Sequence, residues 1–194
     1  MARAYNVLFL CTGNSARSIL AERLMERHGA GRFRAFSAGS FPKGAVHPLA
    51  LRLLAEQGLP TGGLRSKSWE EFTAPDAPRM DFVFTVCDQA ASEPCPVWPG
   101  HPVTAHWGVP DPAAVEGGEV QRMFAFREVC AALGRRIAVF ASLRLEALDA
   151  LAIRREVEAI GRDEAPAPGE DARCARPSRS TTTRTAAPRA TRSA

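Results

Sequence analysis

Cys11-Thr12-Gly13-Asn14-Ser15-Ala16-Arg17-Ser18 follows the apolar run Val7-Leu8-Phe9-Leu10 and precedes a helical pattern. The run has the length and composition of a strand buried on both faces. Behind the octapeptide, Leu20, Ala21, Leu24, Met25 and His28 recur at helical spacing, so a helix is expected to start between Ser15 and Arg17 and to stop at Gly29. The stretch is therefore a link from a strand into a helix N-terminus. Unpaired N–H groups converge there with the positive end of the helix dipole, which suits a tetrahedral oxyanion. Gly13 is expected to let the backbone turn without a Cβ in the way. Thr12, Gly13, Asn14, Ser15 and Ala16 would surround the anion with amides in a concave nest. Arg17 adds a planar donor fork for two of its oxygens. Cys11 lies at the floor as a nucleophile, since a thiol of pKa about 8.5 falls to roughly 3.5–7.5 beside cations and helix starts. The Ser18 hydroxyl is placed to donate to that thiolate. A buried cysteine that merely ends a strand is the plainer alternative.

Outward from this stretch, strand and helix alternate. Phe33–Gly39 reads as a second strand, and the segment from Ser40 to Pro48 has the Gly and Pro punctuation of an irregular connection. A helix is expected over residues 48–57, with Pro48 first, Leu49, Leu53 and Leu54 on one side and Gly58 as its stop. Ser66-Lys67-Ser68 precedes a short helical piece, Trp69–Phe72. Residues 82–86 form a buried strand, and Cys87 sits just past its C-terminal end, where open α/β sheets place their chemistry. Cys95 lies in the adjacent loop between Pro94 and Pro96. Residues 103–107 make a last short strand, followed by Asp111-Pro112. A long amphipathic helix is expected over residues 119–140 and a second over 143–160, ending at Gly161. The alternation predicts right-handed crossovers and a parallel sheet with helices on both faces, an α/β three-layer domain.

With 194 residues the chain suits one domain, taken as residues 1–161, and a tail at residues 162–194. The tail is Pro, Ala, Ser, Thr and Arg with almost no apolar bulk, a composition that cannot offset the entropy of ordering, so it is expected to be disordered. Residues 172–194 hold six arginines and no acid, which leaves residues 1–171 at −2 although the whole chain carries +4. The basic character therefore belongs to the tail, and no nucleic-acid partner is expected. Without a signal-peptide pattern or an apolar run of membrane-spanning length, a soluble cytoplasmic protein with no membrane partner is expected. In a reducing compartment its five cysteines read as catalytic, metal-binding or inert rather than as a disulfide framework.

Cys11-x5-Arg17-Ser18 near the N-terminus resembles the low-molecular-weight protein tyrosine phosphatase family, and Cys-Thr-Gly-Asn-Ser-x-Arg-Ser is most similar to its arsenate reductase branch. The resemblance spans roughly residues 5–140 and implies a four-stranded sheet of order 2-1-3-4. In such reductases a cysteine after the third strand and another a few residues on relay a disulfide from the buried loop to the surface. Cys87 and Cys95 match those positions, and Asp111 matches the general acid. The resemblance thus implies reduction of arsenate, with phosphate and sulfate as competing oxyanions. It implies no tightly bound cofactor and an external thiol reductant, thioredoxin or glutaredoxin with glutathione. Relatives of this type also share a potassium site beside the loop, which maps to Asn14, Glu22 and Ser37. Its fourth ligand, an Asp in those relatives, is Lys67 here, so the Lys67 ammonium is expected to stand in the cation's place and support the loop. Seven residues separate Cys87 from Cys95, one more than in the thioredoxin-coupled type, and Ala16 stands where some relatives carry a further cysteine.

Two other readings compete. A tyrosine phosphatase needs only the first thiol, but phosphatases of this family usually follow Asp-Pro with aromatic residues, and Ala113-Ala114 stand there instead. A metal-binding sensor would use Cys87, Cys95, His101 and His106, whose spacings match no common zinc signature. Among the remaining candidates, Asp111 is open to a plain turn-forming role. His28 reads as a helix-end residue and His47 as a loop residue. Cys130 is expected in the core, and Cys174 in the tail is incidental.

Overall fold

The computed structural model describes residues 3–93 and 96–162. Four strands form one parallel sheet: β1 (Tyr5–Cys11) lies between β2 (Phe33–Gly39) and β3 (Phe82–Thr85), and β4 (Val103–His106) is added outside β3. The order β2-β1-β3-β4 is the expected one. β1 is central because its residues from Val7 to Leu10 are all apolar and all buried, leaving neither face suited to water.

Alternation along β1 divides the core. Val7 and Phe9 face one way with Phe82 and Phe84, against α1 (Arg17–Gly29), α2 (Pro48–Glu56) and α4 (Glu119–Ser142). Phe84 stacks on Trp107 at 4.0 Å between ring centroids, and Phe140 of α4 meets both rings edge-on. Leu8, Leu10 and Val83 face the other way, where Phe72, Met80 and Trp98 cover them. That second layer is a single 3₁₀ turn, Trp69–Phe72, with flanking loop residues, so the two faces are covered unequally.

Two local expectations change. Residues 87–95 carry a short helix, α3 (Asp88–Ser92), which is too brief to show a helical period and is capped by the Cys87 sulfur instead of an oxygen. Residues 143–160 are not one helix. Leu143 is extended, Leu145–Ala147 forms a 3₁₀ turn, and α5 runs Ala150–Arg162 from Asp149, whose carboxylate accepts the Ala152 N–H at 2.7 Å. At the end of α1 it is Ala30, at φ 45°, that takes the left-handed position after Gly29.

The placement of α5 also gives it a role. It lies along β4, the Trp107 indole N–H donates to the Val157 carbonyl at 2.9 Å, and Val157 and Ile160 are buried. A Cβ on Gly161 would come within 2.1 Å of the His106 carbonyl, so the helix approaches this strand as closely as glycine permits. A sheet edge that would otherwise be open is thereby covered. Among the described residues no helix is long and apolar enough to cross a membrane. Cys95, Cys174 and the tail expected from residue 162 onward, apart from Arg162 itself, lie outside the described residues.

Candidate active site

The octapeptide leaves the C-terminal end of β1 and enters α1 at Arg17. Its carbonyls are bonded from outside. Cys11 O accepts from Ser40 N, Thr12 O from Phe41 N, Gly13 O from Lys43 N and the Ser66 hydroxyl, and Ser15 O from His47 N, at 2.8–3.3 Å. A peptide whose C=O faces outward turns its N–H the other way, and α1 has no side-chain cap at its start, so the amides face inward, that of Asn14 onto the Cys11 sulfur and the others toward the space an anion would fill. Gly39 permits this pairing, because a Cβ there would lie 2.4 Å from the Thr12 carbonyl. The cavity in front measures about 170 Å³ and is lined by the loop, Arg17, Phe41, Lys43, Gln89 and Asp111. Its volume falls below the ~300–1,000 Å³ of pockets for drug-sized ligands and suits a small oxyanion.

Asn14, not Gly13, makes the tight turn. Its φ is 40°, a region Asn tolerates better than most residues, whereas Gly13 keeps an ordinary φ. What the missing Cβ of Gly13 provides is room for the Lys43 methylenes, which would lie 3.2–3.3 Å from it. The Asn14 side chain is bonded on both ends: its amide donates to Ser18 Oγ and Ser37 Oγ, each at 2.9 Å, and its carbonyl accepts the Lys67 N–H at 2.8 Å. Ser37 in turn donates to Glu22 at 2.5 Å, and the Lys67 ammonium lies 3.5 Å from Glu22 and 3.4 Å from Ser37. The structure thus joins Asn14, Glu22, Ser37 and Lys67 in one buried cluster behind the loop. Burial pulls the Lys67 ammonium below its ordinary pKa, and the Glu22 carboxylate beside it holds it up.

Cys11 is buried, with Ser18 Oγ at 3.0 Å and the Asn14 N–H at 3.2 Å from its sulfur. Because Ser18 already accepts from Asn14, its own proton is free to point at the sulfur. The expectation that the Cys11 thiol is lowered into the thiolate range needs correction. Burial pushes the Cys11 thiol above its ordinary value, and the Ser18 hydroxyl and the Ser18 and Asn14 amides offset only part of that rise.

Cys87 lies two residues beyond the end of β3. The Val86 N–H bonds to Leu10 O at 2.8 Å, so Cys87 emerges beside the loop, at the ~4.8 Å separation of neighbouring strands. It is buried, accepts the Ala90 N–H at 3.4 Å and lies 3.6 Å from the Thr12 hydroxyl. Asp111 faces the cavity from the other side. Its Oδ2 is 3.2 Å from Arg17 Nη2, while its Oδ1 caps the short turn Pro112–Ala114 through the Ala113 N–H, so it also fills the turn-forming role.

Of the residues of the zinc reading, Cys95 lies outside the described residues. His106 is bonded between Thr85 and Asp88, Cys87 is buried at the loop, and no three His, Cys, Asp or Glu side chains converge among the described residues. His47 caps α2 through its ring nitrogen and Cys130 bonds to Gln57 in the core. Phe41, Lys43 and Gln89 are cavity residues the sequence reading missed. Their signal is the pairing of residues 40–43 with the loop and the turn of α3, neither of which has a periodic signature.

Comparison with known proteins agrees with this geometry. Residues 6–152 match the family described as low molecular weight phosphotyrosine protein phosphatase. An arsenate reductase of Bacillus licheniformis is 36% identical over 136 residues, covering 70% of this chain and 94% of that protein. The crystal structure of an arsenate reductase from Archaeoglobus fulgidus superposes with a TM-score of 0.56 at 30% identity, covering 71% of this chain and 99% of that one. A solved arsenate reductase in a phosphate-binding state gives 0.53 at 26% identity over 71% of this chain and 97% of its own. On the family match and the similarity to the Bacillus protein, the chain belongs to the low molecular weight phosphotyrosine protein phosphatase family.

Proposed function

We propose that this protein is an arsenate reductase, an oxidoreductase that converts arsenate to arsenite at the Cys11 loop with electrons from thiols. The observation that carries the reading is a second buried thiol, Cys87, emerging beside the Cys11 loop and in contact with its Thr12 hydroxyl. A hydrolytic phosphatase has no use for it, and a reductase needs a dithiol.

In this reading arsenate sits on the loop amides with Arg17, and a proton from Cys11 moves to an anion oxygen as the thiolate forms. The sulfur attacks arsenic, and one oxygen leaves as water with a proton that the Asp111 carboxylate takes from solvent once Arg17 has left it for the anion. Arg17 turns from Asp111 to the anion, which leaves that carboxyl facing the departing oxygen. The Cys87 thiolate then attacks the sulfur of Cys11. The S–As bond breaks with its electron pair going to arsenic, arsenite departs, and a Cys11–Cys87 disulfide remains. Cys95 attacks Cys87 by thiol–disulfide exchange, freeing Cys11 and forming a Cys87–Cys95 disulfide. An external dithiol, thioredoxin or glutathione with glutaredoxin, reduces that bond. The balance is one As(V) reduced and two thiols oxidised per turn. Lys67 supports the loop from behind, in the position a bound cation takes in relatives.

The test is arsenite release by separate Cys→Ser variants with each donor. Cys11→Ser should release none, and Cys95→Ser about one arsenite per chain before stalling. Sustained turnover by Cys95→Ser with thioredoxin would reject the relay. Full hydrolysis of a phosphotyrosyl peptide with no arsenite formed would favour the phosphatase.

A further inference from the structure

Three charged side chains line the cavity: Arg17, Asp111 and Lys43. Arg17 and Asp111 are paired at 3.2 Å, so together they present no net charge to an incoming anion. Lys43 makes no ion pair among the described residues, and after burial and Arg122 its charge is a further cause of the lowered pKa of His47. The Lys43 backbone is fixed on the loop by its N–H to Gly13 O at 2.9 Å, and its methylenes lie over the bare Cα of Gly13. The ammonium is thus delivered to the mouth by a stem held on the loop, not by a freely swinging surface lysine.

We propose that Lys43 is a charge-selecting rim residue, which supplies the second positive charge that a doubly charged oxyanion needs and sets affinity more than the chemical step. The inference rests on the arsenate reading for the substrate, though it concerns any tetrahedral dianion on this loop. Arg17 alone balances one negative charge once it turns from Asp111, and amide dipoles balance part of the rest. An ammonium at the rim attracts the dianion in both its free and its reacting state, which is uniform binding and therefore acts on KM.

Lys43→Met keeps the stem over Gly13 and removes only the charge, and Lys43→Arg restores a charge. Equilibrium binding of inorganic phosphate is measured beside arsenate turnover, at low and high ionic strength. In Lys43→Met the phosphate Kd and the arsenate KM should both rise about fivefold, with kcat changed by less than about twofold and an unaltered melting temperature. Lys43→Arg should recover most of the loss, and high salt should shrink the difference between wild type and Lys43→Met. Unchanged Kd and KM in Lys43→Met, or a loss that salt leaves intact, would overturn the proposal. Phosphate binding that follows this pattern in a protein releasing no arsenite would instead overturn the arsenate reading and leave the rim assignment standing.

Discussion

At the scale of single residues, the loop works by linking its polar side chains into one chain of donors and acceptors. Ser18 accepts from Asn14 and so spends its proton on Cys11, opposing the burial that pushes this thiol up. Removing that donor has a defined sign. In Ser18→Ala the folded thiol loses a hydrogen bond to its charged form, its pKa rises, and less thiolate is present at neutral pH. A hydrogen bond to a charged group contributes about 1.5–3 kcal/mol, so the midpoint of Cys11 alkylation by iodoacetamide should climb by about one pH unit or more. A midpoint equal to that of wild type would show that the amides alone set the ionisation. Lys67 gives a second case, because its side chain and that of Glu22 are only 9% and 10% exposed. Lys67→Met leaves a buried carboxylate with Ser37 alone, and breaking such a pair costs about 3–5 kcal/mol. Chemical denaturation should register a loss of about that size, and pairing the change with Glu22→Gln should recover part of it. On the reading that the Lys67 ammonium stands in the place of a cation, wild-type turnover should be the same in potassium and sodium salts. Several-fold stimulation by potassium would contradict that placement.

Elements differ in how much of them the sequence discloses. β1 and α1 are legible because a run buried on both faces and a 3.6-residue period are strong signals, and the site between them inherits their geometry. Cys11, Arg17 and Ser18 are read directly from that link. Asn14, Glu22, Ser37 and Lys67 come together from β2, α1 and two loops, and only a resemblance associates positions so far apart in sequence. α3 is hidden by its five residues and its sulfur cap, and the start of α5 by reading through Asp149. The termination of α1 is a place where local chemistry is imperfect. Ala30 sits at φ 45°, a conformation that costs a Cβ-bearing residue about 1–2 kcal/mol and glycine almost nothing. Ala30→Gly should therefore raise stability by up to about 1 kcal/mol, part of the gain being lost to the greater freedom of glycine when unfolded. A drop in the denaturation midpoint would mean that Ala30 contributes packing that its position does not suggest.

For the molecule as a whole, the anion site is a property of the assembled sheet. Its amides point inward only because residues 40–47 and Ser66 hold the loop carbonyls, Asp111 arrives from beyond β4, and Gln89 comes from α3. None of these groups converges in the unfolded chain, so an oxyanion held by the loop would bind the native state alone and would stabilise it by mass action. At a phosphate concentration of about 100 times Kd the gain is about 2.7 kcal/mol. For a domain of this size that corresponds to a rise in melting temperature of roughly 5–10 °C. Cys11→Ser should keep the rise, because a hydroxyl leaves the nest and Arg17 intact. Arg17→Ala should lose most of it, since the remaining amides face a dianion without their guanidinium. Calorimetry across a phosphate series on the three proteins separates the contributions. An equal rise in Arg17→Ala would mean that phosphate acts elsewhere on the surface, and the loop would then no longer account for anion binding.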